Sequence, residues 1–205
     1  ITEFPTGTRC YDWEIPLEWN IESAFIIAPD SQKIADFSEN NLHILGYSEP
    51  IEGEFALDEL KKHIFTDETR PDIIPYRTSY YERRWGFCMP HNQLLKLKEG
   101  SYYVKVDSEL KNGYLTVADA ILPGMTELEI FFSCYVCHPS MADDSLSGVV
   151  LTAKLYEYLK NRKNNRYTYR FIFVPETIGA ISYLSKYGDL MKKKTFCGMT
   201  LTCLG

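Results

Sequence analysis

The sequence has no uninterrupted apolar run of about 18 residues, so no transmembrane helix is expected. It has no signal-peptide pattern at its start. It also lacks a Lys/Arg-dense strip with interleaved aromatics, the usual footprint of a nucleic-acid binder. The densest cationic run, Lys192-Lys193-Lys194, follows a helical pattern and reads as a solvated helix C-terminus. Internal repeats and low-complexity segments are missing too. Cysteine is sparse. The six cysteines (Cys10, Cys88, Cys134, Cys137, Cys197 and Cys203) are irregularly spaced, and several lie in apolar runs. That pattern predicts mostly reduced, buried thiols in a cytoplasmic protein, not a disulfide framework. The chain starts at Ile1 instead of Met and stops just after a strand-like run, so it reads as part of a longer protein.

What is present is the composition of a soluble globular protein. The chain has 205 residues, 45% apolar and 24% charged, with a net charge of -6. That is enough for one domain, or one domain with a small partner.

The pattern changes along the chain. Residues 1–46 are rich in Trp, Tyr and Phe and hold short strand-like runs such as 23–28. Residues 54–65 have helical spacing, and 66–82 are irregular, with Pro71, Pro75 and a Tyr cluster. Residues 101–107 and 113–118 alternate as strands do, and Lys111-Asn112-Gly113 between them is a turn signal. From residue 127 onward, apolar strands at 128–136, 167–174 and 196–204 alternate with helical patterns at 147–158 and 178–191. Strand and helix in alternation predict an α/β sheet. The change of period near residue 122 predicts a core built from 1–46 and 122–205, with 47–121 as a β-rich insertion.

Residues 134–148 read CYVCHPSMADDSLSG. C-x-x-C-H is the spacing of covalent haem attachment, and C-x-x-C is half of a zinc knuckle. Residues three apart on a strand face opposite ways, and no second C-x-x-C exists to complete a knuckle. Cys134 and Cys137 therefore read as packing residues that share neither haem nor a disulfide. His138 differs: it follows a buried strand and opens a polar loop that runs to Asp143 and Asp144. Glu176 likewise stands just past an apolar strand, where a carboxylate is costly to desolvate unless it is used or paired. Sites in α/β sheets gather at such strand ends. A capping Asp before one helix and a dipole-favoured Glu before the next are the structural alternatives.

Together, His138, Asp144-x-x-Ser147-Gly148 and Glu176 resemble the zinc-dependent aminopeptidase-like (M28-type) family. The match is closer to a bacterial subgroup, the DUF4910 family of aminopeptidase-like domains with a DUF2172 segment inserted. The stretches that carry it are DWEIPLEWNI (12–21), DFSENNLHILGYSEP (36–50), PYRTSYYERRWGFC (75–88), CHPSMADDSLSG (137–148) and VPETIGAISYLS (174–185). The resemblance implies a three-layer α/β aminopeptidase-like core with the small inserted domain at 47–121. His138 matches the first metal-ligand His, Asp144 the Asp that binds or bridges metal, and Glu176 the general base. Thr177 stands where the family has a liganding Glu, and Asp143 where Asn is common. Thr202 or Cys203 stands where a further ligand Asp is expected, and a last His ligand is expected beyond Gly205. The implied cofactor is zinc, one ion or two.

The implied substrate is a peptide or amide with a free amino end, or an amide-bearing glycoconjugate, in polysaccharide biosynthesis. A homo-oligomer is left open. A catalytically degenerate fold kept as a ligand-binding or regulatory module is the alternative. Tyr76, Tyr80, Tyr81 and Trp85 are candidates for a substrate entrance, and Arg77, Arg83 and Arg84 for meeting a carboxylate. Core or surface duty is the alternative for all seven. His43, His63 and His91 read as structural.

Overall fold

The computed structural model describes residues 1–79 and 81–204. The chain divides into two compact units, one formed by Ile1–Leu17 with the segment from Asn112 onward, the other by Glu18–Lys111. Residues 1–17 carry β1 (Thr2–Pro5), β2 (Arg9–Cys10) and β3 (Trp13–Glu14). The second unit carries β4 (Glu18–Ile27), β5 (Lys33–Asp36), β6 (Ile51–Ala56), α1 (Leu57–Leu60), β7 (Ile64–Phe65), β8 (Phe87–Cys88), α2 (His91–Leu94) and β9 (Ser101–Lys111). The last segment carries β10 (Tyr114–Leu122), β11 (Glu129–Tyr135), α3 (Gly148–Lys160), β12 (Thr168–Val174), α4 (Ile178–Lys194) and β13 (Thr195–Thr200).

The larger unit is a three-layer α/β structure. Its sheet has the order β1-β10-β12-β11-β13. β11 runs parallel to both β12 and β13, while β10 is antiparallel to β12 and β1. Alternation along β12 explains the layers. Phe171 and Phe173 face the side where α3 packs through Leu155, Tyr156 and Leu159. Ile172 and Val174 face the side where α4 packs through Ile181, Tyr183 and Met191. Both faces are covered, as the apolar strand pattern requires.

The smaller unit is a four-stranded sheet, β5-β4-β9-β6, over a core that includes Ile26, Leu60, Phe87, Tyr102 and Val104. The division expected at 46/47 and 121/122 is therefore displaced. Residues 18–46 join the smaller unit because β4 pairs along its length with β9, from Glu18 opposite Lys111 to Ile27 opposite Tyr103. Residues 112–121 join the larger unit because β10 pairs with β12. The turn signal at 111–113 joins no hairpin: β9 and β10 enter different sheets. Gly113 instead pairs with Thr6, whose N–H donates to its carbonyl at 2.9 Å. The helix expected over 54–65 shrinks to the four residues of α1, followed by a short 3-10 turn and β7.

Cys10, Cys88 and Cys134 are buried, whereas Cys137, Cys197 and Cys203 are exposed, so burial holds for only half of the cysteines. No helix among the described residues is long and apolar enough to cross a membrane.

Candidate active site

Three parallel strands of the larger unit end at one edge of its sheet. β11 and β12 end in register, Tyr135 opposite Val174, and β13 follows β11 with Ser133 opposite Thr200. Beyond these ends lie the loop with His138, the elbow with Glu176 and the segment with Thr202.

His138 and Asp144 come together. His138 Nε2 lies 3.6 Å from Asp144 Oδ2. His138 Nδ1 is 3.1 Å from the Pro139 carbonyl, which can only accept, so Nδ1 carries the proton and donates it. In the neutral ring Nε2 then turns its lone pair toward a carboxylate oxygen. Two lone pairs that face each other need a cation or a proton between them. Two zinc ligands at 2.0–2.2 Å and a tetrahedral angle are roughly 3.3–3.6 Å apart. The spacing and donor types therefore fit two of zinc's four positions. Among the described residues no group of three or more His, Cys, Asp and Glu side chains is gathered to hold a metal ion. Among the described residues the structure thus brings together one pair of side chains with zinc-type donors, fewer than a full set.

The turn that carries Asp144 is irregular. Residues 143–147 contain non-helical angles at Asp144 and Ser145, and the Asp144–Ser145 peptide is cis. Ser145 is buried and donates from its hydroxyl to the Tyr135 carbonyl at 3.2 Å. α3 starts afterwards at Gly148, where a Cβ would come within 2.0 Å of the Leu201 carbonyl oxygen, so the close approach of the 201 backbone requires glycine. Ser147, at the N-cap of α3, makes no side-chain cap bond. Asp143 is exposed and enters the network through its main-chain carbonyl, which accepts from the Ser147 hydroxyl at 2.6 Å.

Glu176 is exposed and stands outside the His138–Asp144 pair. It sits on a tight strand-to-helix elbow. The Ile178 N–H donates to the Glu176 carbonyl at 2.6 Å, and Thr177 between them has φ 58° and ψ -72°. This is a γ-turn of the strained, positive-φ kind, unusual for a β-branched residue. Gly179 completes the elbow, since a Cβ there would lie 2.5 Å from Pro175 Cδ. Thr177 thus has a backbone duty in aiming Glu176, and its own side chain is exposed.

Tyr135 marks the common neighbourhood of these groups. Burial raises the pKa of its phenol, and the charges of Glu176, Asp144, Cys137 and Cys203 raise it further. Sequence reasoning missed Tyr135. Its only signal was its place as the last residue of β11, three before His138.

In the smaller unit, His43 is buried against the Cys88 carbonyl, His63 stacks on Trp85 at 3.8 Å, and His91 meets Thr66. Arg83 pairs with Glu49 at 2.6 Å, Arg84 lies over the Phe65 ring, and Arg77 is exposed. Tyr76 and Tyr81 are exposed, and Tyr80 lies outside the described residues.

The chain matches a Clostridium acetobutylicum protein named for polysaccharide biosynthesis and an aminopeptidase-like domain. They are 42% identical over all of this chain and 47% of the relative, so the chain spans about half the length of the curated relative it matches. A crystal structure from the same organism, described as a candidate peptidase, matches 100% of this chain and 48% of its own, with 42% identity and a TM-score of 0.94. A zinc aminopeptidase from Bacillus subtilis is 10% identical, with a TM-score of 0.63 over 99% of this chain and 58% of that one. An M28 peptidase precursor from Shewanella amazonensis is 14% identical, with a TM-score of 0.55 over 96% and 60%. These last two establish the fold alone: an aminopeptidase-like, M28-type architecture. The profile of the family described as "Domain of unknown function (DUF4910)" matches residues 1–205, and the chain belongs to that family.

Proposed function

We propose that the protein is a zinc-dependent, aminopeptidase-like hydrolase of peptide or amide bonds, acting on a peptide or glycoconjugate substrate in polysaccharide biosynthesis. The observation that carries this reading is the His138 Nε2–Asp144 Oδ2 pair, 3.6 Å apart at the end of a parallel strand. The names of the relatives support the direction. When bound, zinc would supply Lewis acidity, lowering the pKa of water toward about 7 and polarising a carbonyl. His138 and Asp144 would hold it, and ligands outside this pair would complete its shell. Glu176 would take a proton from the attacking water and pass it to the leaving amine, from an elbow that keeps its carboxylate exposed.

A non-catalytic binding module is favoured by one observation, the lack of a third gathered ligand among the described residues. Glu176→Gln in the natural full-length protein separates the two readings, because it keeps shape and removes the base. Retained zinc with hydrolysis reduced about 10²–10⁴-fold is the result expected of a general base. Unchanged hydrolysis would remove Glu176 from the mechanism. An absence of zinc in the parent protein would leave the module.

A further inference from the structure

The two oxygens of Asp144 have different partners. Oδ2 faces His138 Nε2 at 3.6 Å, and Oδ1 accepts a hydrogen bond from the Thr202 hydroxyl at 3.3 Å. Thr202 Oγ1 also lies 3.5 Å from Cys203 Sγ. A hydroxyl has one proton, and here it goes to Asp144, so the thiol is the donor in that second contact. The result is a short chain of donors from thiol to hydroxyl to carboxylate, in which each bond polarises the next.

Thr202 is not on a loose tail. The Leu201 N–H donates to the Ser133 carbonyl at 2.8 Å on one side of it. The Leu204 N–H donates to Ser147 Oγ at 3.0 Å on the other. Gly148 lets the Leu201 carbonyl approach the start of α3. The segment 201–204 is thus fastened to the turn that carries Asp144, with Thr202 at the middle of the fastening.

We infer that Thr202 is a positioning residue that holds Oδ1 of Asp144 and so keeps Oδ2 turned toward His138 for a metal ion. The inference rests on the reading of His138 and Asp144 as ligands. Fixing one oxygen also fixes the carboxylate plane and so holds Oδ2 toward His138. Partners that hold a metal ligand in place change affinity about 10–100-fold when removed.

The test uses the natural full-length protein with zinc as the probe. Zinc content is read by elemental analysis after dialysis, and affinity by competition with a chelator. The parent should retain zinc. Thr202→Val keeps the shape and removes the hydroxyl, and it should weaken zinc binding about tenfold or more. Thr202→Ser keeps the hydroxyl and should restore affinity. In cobalt-substituted protein, the visible absorption of Thr202→Val should differ from the parent, because Asp144 is freed to turn. A fold spectrum equal to the parent excludes a merely structural loss. Parent affinity in Thr202→Val overturns the role of Thr202. No zinc in the parent overturns both readings.

Discussion

Asp36 is a buried carboxylate that keeps its charge because donors surround it. Lys33 Nζ reaches Oδ2 at 2.8 Å, and the Ser38 N–H and hydroxyl reach Oδ1 at 2.9 and 2.7 Å. The Lys33 hydrogen bond is the largest cause of a carboxyl pKa lowered from 3.8 to about 2, against burial, which raises it. The folded value lies below the unfolded one. The carboxylate's stabilisation is therefore complete above the unfolded value and fades as pH falls from about 4 toward 2. Asp36→Ala should lower the urea-unfolding free energy by about 1–3 kcal/mol at neutral pH. The gap between variant and parent should close on acidification across that window. A gap that persists unchanged to the acid end would rule out the carboxylate as its cause. Thr177 is the opposite kind of residue, one whose backbone is held at φ 58° where a β-branched side chain fits poorly. Such strain persists only where the surroundings impose it, and here it adjoins the proposed base.

At the scale of elements, a buried ion network ties three strands to a helix. Arg170 of β12 donates from Nε and Nη2 to both oxygens of Glu129 on β11, at 2.6 and 2.9 Å. Its Nη1 meets Asp119 of β10 at 3.1 Å and the Tyr183 hydroxyl of α4 at 3.0 Å. Tyr183 in turn donates to Asp119 at 2.7 Å. The bond to Glu129 raises the pKa of Arg170, and burial foremost raises that of Tyr183. Arg170→Met would leave two carboxylates without their cation, one of them fully inside. Breaking a buried pair in this way costs about 3–5 kcal/mol. Arg170→Lys, which keeps charge but loses the fork, should fall between parent and Met variant in a denaturation series. A Met variant within about 1 kcal/mol of the parent would show that solvation of the freed carboxylates compensates.

At the scale of the whole molecule, the unit Glu18–Lys111 has its own sheet and its own core. Its two ends lie opposite each other, Glu18 paired with Lys111 across β4 and β9. Excision there cuts no strand of the four-stranded sheet. A fragment of residues 18–111 should therefore fold alone, with a β-rich circular dichroism spectrum and one cooperative thermal transition. A broad, non-cooperative melt would mean that its core is insufficient by itself.

How much was legible beforehand depends on whether the information is local. Strands β11 and β12 and helices α3 and α4 lie within a few residues of where hydrophobic period places them, because each face of these elements meets one continuous apolar layer. His138 and Asp144 share one short motif, so their meeting was also foreseeable from sequence. Glu176 was readable as a strand-end acid, but its elbow was not, since nothing in the residue Thr177 announces a positive φ. Pairing partners were out of reach altogether. A strand's alternation tells which side is buried and says nothing about which strand lies alongside. β9 and β10 are adjacent in sequence with Asn112-Gly113 between them, yet they joined different sheets because β4 and β12 competed successfully for their edges. The same holds for side chains: Thr202 reaches Asp144 across 58 residues and Arg170 reaches Glu129 across 41. Local sequence was enough for β11, β12, α3 and α4 with their buried faces, for the family and for the His138–Asp144 motif. Where the units divide and which hydroxyl holds Asp144 depend on contacts that exist only after distant segments have been brought together.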